Sequence, residues 1–309
     1  MLRKERNIRH GSVRSLSDKA VHYIMLVILC LLSFCCLYPF LLILSSSFQP
    51  QEVILNDGYR VFAKEYTLET YKMIFTDPSK LLDSYIVTIG TTAATVVLGV
   101  TVTSAYGYVL SRKDYKYRRF LAVYAFFTTL FGGGLPATYI LITRWLHMKD
   151  SIWVLILPLC CGAGHIIMFK AFFSSISTEI IESAKLDGAS EMRIFSSIIV
   201  PMSKPAIATI SVMLTLGTWN EYFSCMLYTE NEKLHKLQYL LMKLLNNIEF
   251  MNSPEYMQYV GAGGLGTLDI PTYGARMAMC VLAAGPIVLI FPFFQKYFVK
   301  GMTIGAVKG

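Results

Sequence analysis

The stretch Glu179-Ile180-Ile181-Glu182-Ser183-Ala184-Lys185-Leu186-Asp187-Gly188-Ala189-Ser190-Glu191-Met192-Arg193-Ile194-Phe195-Ser196-Ser197-Ile198-Ile199-Val200-Pro201 decides how the rest of the chain is read. It is a polar island between two long apolar runs, and its own pattern is that of two short amphipathic helices. The turn between them falls at Asp187-Gly188, where glycine reaches a positive φ that a side chain would oppose. Asp187 or Ser190 is placed to cap the second helix. Ile181, Ala184 and Leu186 form one apolar patch, and Ile194, Phe195 and Ile198 form another. Pro201 ends the piece before Pro205 opens the next apolar run, a position that suits proline. On the residues alone, an amphipathic pair lying on a membrane surface and stapling its neighbours fits as well as a docking element does.

On both sides of this island the chain is apolar. Of its 309 residues 54% are hydrophobic and 16% charged, with a mean hydropathy of +0.50. A soluble domain carries about 25% charged residues. Six apolar runs, each long enough at roughly 20 residues to cross a bilayer, lie at about 23–44, 85–110, 120–142, 152–173, 205–227 and 277–298. The third is interrupted by Gly132-Gly133-Gly134-Leu135-Pro136, a break that neighbouring helices or a cavity make tolerable in a membrane. The first follows a basic head but is too long for a secretory signal, so it reads as an uncleaved span. These features exclude a cytosolic enzyme, a secreted disulfide domain and a disordered chain. They predict an all-α polytopic membrane protein with six transmembrane helices. Residues 1–20 form an N-terminal tail and 21–309 one transmembrane domain, with loop 174–204 projecting from it.

The net charge of +8 suggests nucleic acid until it is divided by side. With the N-terminus cytoplasmic, the segments on that face hold 18 Lys and Arg against 7 acids, a balance of +11, and everything else balances to −3. That is the positive-inside pattern. It puts both termini and residues 174–204 in the cytoplasm, and leaves 45–84 and 228–276 outside. Trp145 and Trp153 flank the short outer loop 143–151, as an interfacial belt would. The glycine cluster Gly261-Ala262-Gly263-Gly264-Leu265-Gly266 in the long outer loop reads as a mobile connector or as a loop reaching toward a partner.

Much familiar chemistry is missing. There is no nucleotide-binding P-loop, no HExxH and no GxSxG, and the five histidines have no ligand spacing. Seven cysteines all fall inside apolar runs, an odd count without a CxxC pair, which reads as small apolar packing residues and no metal site. Paired intramembrane carboxylates, as a proton relay needs, are lacking. Uphill movement of a solute would therefore draw its energy from another chain.

The polar island resembles the EAA loop of ATP-binding-cassette importer permeases, E-A-A-x-x-x-G followed after nine residues by I-x-L-P. Glu182, Ala184, Gly188, Ile198 and Pro201 fit, while Ser183 stands for an alanine and Val200 for leucine. Tyr38-Pro39-Phe40 through Ser45-Ser46-Ser47-Phe48, Trp219-Asn220-Glu221-Tyr222 and Pro292-Phe293-Phe294-Gln295-Lys296-Tyr297-Phe298 are similar to the carbohydrate-uptake, maltose-permease-like branch. The closing Gly301 to Gly309 resembles the subgroup for larger oligosaccharides and polysaccharide fragments. The resemblance implies a type I ABC importer permease fold in the bacterial plasma membrane. It implies a second homologous permease subunit, two ATPase subunits and an extracellular solute-binding protein as partners. ATP and Mg belong to those ATPases, so this chain is a transport subunit rather than an enzyme, and it binds no cofactor of its own. Glu182, Ser183, Ala184, Asp187, Gly188, Ala189, Phe195, Ile198 and Pro201 become the ATPase-coupling loop, a rigid lever with apolar residues among charges that suits a receiving groove.

The solute path is less legible. Glu221, with Trp219, Asn220 and Tyr222, offers the aromatic and hydrogen-bonding groups that sugars require, and His165 is a further polar residue inside a span. Each also has a structural reading: Glu221 as a contact to the partner permease or a group reaching the outer interface, His165 as hydrogen-bonded packing. A polyamine or glycerol-phosphate-like solute would demand countercharges in the spans, for which Glu221 and His165 are the candidates. A channel or self-sufficient secondary transporter would need intramembrane ion-coupling residues, which are scarce.

Overall fold

The computed structural model describes residues 16–76, 78–251, 253 and 272–306. All regular structure among them is helical: α1 (Leu16–Ser46), α2 (Gln51–Asp57), α3 (Glu69–Ile74), α4 (Ser79–Ser111), α5 (Arg118–Leu130) and α6 (Gly134–Ile140), which runs into a π turn at Leu141–Trp145. A 3₁₀ turn at Ile152–Leu155 precedes α7 (Leu157–Cys160) and α8 (Ala163–Phe173). The polar island holds α9 (Thr178–Leu186), α10 (Glu191–Ile194), a π turn at Phe195–Ile199 and α11 (Val200–Met202). Then come α12 (Lys204–Trp219), α13 (Phe223–Tyr228), α14 (Leu237–Met251) and α15 (Thr272–Ala306). The Gly261–Gly266 cluster, the N-terminal basic residues up to Arg14 and the last three residues lie outside the described residues.

Every apolar run is helical, but three are not straight. Lys19–Ser46, Ser79–Ser111 and Tyr273–Ile290 are long and apolar enough to cross a membrane alone. Arg118–Leu130 with Gly134–Trp145 bends by 113°, and Ile152–Cys160 with Ala163–Phe173 by 42°. Phe131 is extended at the first of these breaks, so the third run turns back on itself rather than merely kinking. The fifth run departs most from expectation. A helix over 205–227 is predicted, yet α12 stops at Trp219 and α13 restarts at Phe223. The sixth is longer than 277–298, beginning at Thr272 and ending at Ala306.

α4 is the axis of the bundle. Its buried face carries Thr88, Thr91, Thr92, Thr95, Gly99, Thr103 and Gly107, small residues about one turn apart. Small side chains let helix backbones approach, the main source of packing where lipid removes the hydrophobic incentive. Some of the threonine hydroxyls are satisfied within the helix, Thr88 donating to the Ser84 carbonyl at 2.6 Å and Thr91 to that of Val87 at 2.7 Å, while those of Thr92 and Thr95 are buried without a partner among the described residues. α8 runs parallel to α4 and α12 antiparallel to it, so Tyr108, Phe169, Phe173, Ile210 and Leu214 meet in one apolar cluster. At the opposite end of α4, Leu81 packs with Trp219, Leu237, Met279 and Ala283.

The closest approach is at Gly107. A Cβ there would lie 2.6 Å from the Phe169 Cβ and 3.0 Å from the Lys170 backbone nitrogen. Gly107→Ala should therefore push α8 off α4 and lower stability by roughly 1–3 kcal/mol, seen as a lower thermal midpoint of the detergent-solubilised protein. An unchanged midpoint would show that the two helices separate freely.

α1 is built differently. From Val21 to Leu41 its large apolar and aromatic side chains are 46–66% exposed. A helix apolar on all faces is covered by lipid or by another chain.

Candidate functional site

The polar island folds into a helical hairpin at one end of the bundle. Ser177 caps α9 by accepting from the Glu179 amide, and Ser190, rather than Asp187, caps α10 by accepting from the Arg193 amide. Between them Gly188 adopts φ +77°. The Ala189 amide donates to the Ala184 carbonyl and the Gly188 amide to that of Lys185, both at 3.0 Å, which closes the helix end as a Schellman motif. Pro201 does not end the piece. It lies in the one-turn α11, and the sharp change of direction, 80°, comes at Ser203.

Of the apolar residues, Ile181, Ala184 and Ile194 are buried and seat the hairpin against Tyr108, Phe173 and Ile199. Phe195, Ile198 and Ala189 are half-buried at its edge. Leu186 does not join Ile181 and Ala184 as expected: it is 90% exposed, and Met192 is 73% exposed. Five residues on from Ile181, Leu186 falls on the far side of a helix with 3.6 residues per turn. Glu182, Ser183, Asp187, Gly188 and Pro201 are exposed as well. A shallow groove of about 450 Å³ runs between Glu179, Ile180, Ser183, Ala184, Asp187 and Ile198.

A polar network holds this hairpin to the end of α4, and sequence reasoning missed it. The Tyr108 hydroxyl donates to Glu191 Oε2 at 2.6 Å. Lys185 Nζ lies 2.7 Å from Asp114 Oδ2 and 2.8 Å from Glu191 Oε1. Arg112 reaches Asp114 at 3.1 Å and Glu191 at 3.6 Å. The Lys185 hydrogen bond holds the Asp114 carboxyl below the usual carboxylate range. Burial pushes Glu191 up, but the hydrogen bonds from Lys185 and Tyr108 outweigh it and leave that carboxyl lowered too. The partners lie 71 and 83 residues apart in sequence. Beside them a cavity of about 280 Å³ is lined by Tyr108, Val109, Arg112, Asp114, Tyr115 and Glu191.

At the other end of the bundle, Trp219, Asn220, Glu221 and Tyr222 form the break between α12 and α13. Trp219 is buried, its indole donating to the Ala283 carbonyl at 3.0 Å, which ties α12 to α15. Asn220 folds back on the Leu216 carbonyl. Glu221 Oε1 accepts from the Ser224 amide at 2.6 Å and so starts α13. Its other oxygen is buried and lies 3.8 Å from Nζ of Lys236. Lys236 is itself fully buried and donates to the Thr218 carbonyl. Burial pulls the Lys236 pKa down, with Glu221 opposing. Tyr222 is 37% exposed. His165 is not gathered into this break. It sits in the first turn of α8 against Gly162, its Nδ1 buried without a hydrogen-bond partner.

The longer α15 also brings in Arg276, one residue before the start of the expected sixth span. Its Nε is buried and unpartnered, and no acid among the described residues pairs with it. Lys236 and Arg276 thus join Glu221 and His165 as polar groups in or beside the spans.

Three comparisons place these features. The family model described as binding-protein-dependent transport system inner membrane component matches residues 12–304. Protein LplC of Bacillus subtilis is 34% identical over 273 residues, covering 88% of this chain and 89% of its own. The polygalacturonan/rhamnogalacturonan transport system permease protein YtcP of the same organism is 35% identical over 277 residues, covering 89% and 93%. Among solved structures, a chain from a bacterial ABC transporter involved in the import of the acidic polysaccharide alginate superimposes with a TM-score of 0.77. It is 28% identical and covers 92% of this chain and 98% of its own. An all-helical bundle with a projecting two-helix loop, matched over nearly its whole length, belongs to the family of inner membrane components of binding-protein-dependent transport systems, which are permease subunits and not enzymes.

Proposed function

We propose that the chain is the permease subunit of an ATP-driven importer that takes up oligosaccharides delivered by an extracellular solute-binding protein. It works beside a second, homologous permease and two ATPase subunits, which hold the ATP and Mg. Both termini and residues 174–204 face the cytoplasm. Glu182, Ser183, Ala184, Asp187, Gly188, Ala189, Phe195, Ile198 and Pro201 form the coupling loop. The observation that carries this reading is the hairpin's division of labour: Ile181, Ala184 and Ile194 anchor it, while Leu186 at 90% exposure and the charges around it face outward. An apolar side chain set among charges on a rigid helix end suits a groove on a partner. The apolar exposure of α1 from Val21 to Leu41 supports a second permease or lipid around it.

The substrate class rests on relatives named for polygalacturonan/rhamnogalacturonan, arabinooligosaccharides and maltodextrin, and on the alginate importer. Arg276, half-buried beside the sixth span with its Nε unpartnered among the described residues, speaks against a polyamine, which would meet a cation there. The substrate path through Trp219, Asn220, Glu221, Tyr222 and His165 is narrowed by the geometry. Trp219 and Glu221 are committed within the fold, which leaves the exposed Asn220 and Tyr222 as the groups free to meet a sugar. A glycan-array screen on the cognate solute-binding protein tests the substrate class. Binding of an oligosaccharide is expected, and a protein that ignores every glycan but binds a polyamine or glycerol phosphate would contradict it.

A further inference from the structure

Besides the apolar seat of Ile181, Ala184 and Ile194 on Tyr108 and Phe173, the hairpin has three routes by which its movement can reach the membrane helices. Two are covalent. The link from α8 passes through Ser174–Ser177, and the link to α12 passes through Ser203, where the chain turns by 80°. Both are joints, and a joint lets the hairpin swing without moving what lies beyond it. The third route is the polar network. It grips the hairpin twice, at Lys185 near the end of α9 and at Glu191 at the start of α10. It fixes both to α4 through Tyr108, Arg112 and the turn residue Asp114.

The grip centres on the buried Tyr108, since the Lys185, Asp114 and Glu191 side chains are 39–55% exposed, and its shortest contacts run from 2.6 to 2.8 Å. Hydrogen bonds of this length weaken steeply with distance and angle, so a shift of the hairpin either breaks them or carries α4 along. The anchor is firm. Tyr108 is buried and packs edge-on to Phe173, with its ring 5.2 Å from that of Phe195. α4 in turn carries the small-residue face on which α8 and α12 are packed.

We infer that Tyr108, Asp114, Lys185 and Glu191 are positioning residues that transmit movement of the coupling loop directly to α4, making the second span the helix the loop drives. This rests on the reading of the loop as the ATPase-docking element. The role of the network is to make the loop and α4 one body.

The test uses the assembled transporter with its partner permease, ATPases and solute-binding protein, comparing wild type with Tyr108→Phe, Glu191→Gln and the double variant. Tyr108→Phe removes one oxygen and keeps the ring packing, so assembly and basal ATP hydrolysis should persist. Stimulation of hydrolysis by loaded binding protein should fall about tenfold in each single variant, the scale of one charge-assisted hydrogen bond. The double variant should lose less than the product of the two single losses, because both weaken the Tyr108–Glu191 bond, while Glu191→Gln alone also weakens the ion pairs with Lys185 and Arg112. Unchanged stimulation, or losses that multiply, would overturn the inference. So would a parallel fall in assembly, basal hydrolysis and stimulation, the mark of a purely structural role. A wild-type complex that loaded binding protein does not stimulate at all would instead refute the docking reading, a result distinct from variants that match a stimulated wild type.

Discussion

A Gly188→Pro chain assembled with its partners should hydrolyse ATP at the basal rate and lose its response to loaded binding protein. Gly188 holds φ +77°, whereas proline is fixed near −65° and has no amide hydrogen. The substitution would therefore remove the Gly188 hydrogen bond to Lys185 and reorient α10 relative to α9. Space is not the obstacle, since a Cβ at this position meets nothing within 4 Å. The backbone angle, together with the lost amide hydrogen in the case of proline, sets the outcome, which yields a graded series. Asn, which visits the left-handed region readily, should preserve stimulation. Ala should lose part of it, at a strain of about 1–2 kcal/mol. A proline variant that is well assembled and fully stimulated would show that the hairpin turn plays no part in coupling.

The second large effect concerns the buried pair at the α12–α13 break. Lys236→Met leaves the Glu221 carboxylate, 14% exposed, facing an apolar side chain. Removing one partner of a buried pair typically costs about 3–5 kcal/mol, whereas replacing both with neutral groups costs far less. The thermal midpoint in detergent should thus fall sharply for Lys236→Met and recover in Lys236→Met with Glu221→Gln. The cycle also separates two roles for Glu221. If it binds sugar, the double variant would regain its midpoint yet show weakened uptake affinity. A Lys236→Met protein as stable as the double variant would remove the pair from the account.

Much of the fold is legible because hydropathy and charge report it directly. The six apolar runs are helices, and the Asp187-Gly188 turn is where its residues require it to be. Hydropathy carries no information on bends, however. The break at Gly132–Pro136 is announced by its glycines and proline, but the run at 205–227 looks continuous, and there the chain breaks where Glu221 holds the Ser224 amide. Leu186 was assignable from spacing, since positions 181, 184 and 186 do not share a helix face. The packing face of α4 was also present in the sequence, as threonines and glycines about four apart, though apolar content masks it.

The polar network was out of reach for another reason. Its members are unremarkable charges until chain segments 71 and 83 residues apart meet. The six-span topology does bring 111–119 and 174–204 to one end of the bundle, but it does not say which acid meets which base. Lys236 is hidden in the same way: it lies in a polar loop, and only the fold places it in the interior against Glu221.

The most direct test of the whole account is solute uptake into proteoliposomes, comparing this chain alone with the complete complex of two permeases, ATPases and binding protein. Labelled oligosaccharide should accumulate only in vesicles that contain the full complex, with ATP on the ATPase side and loaded binding protein on the other. Accumulation by the isolated chain without ATP, or none by the complete complex, would contradict it.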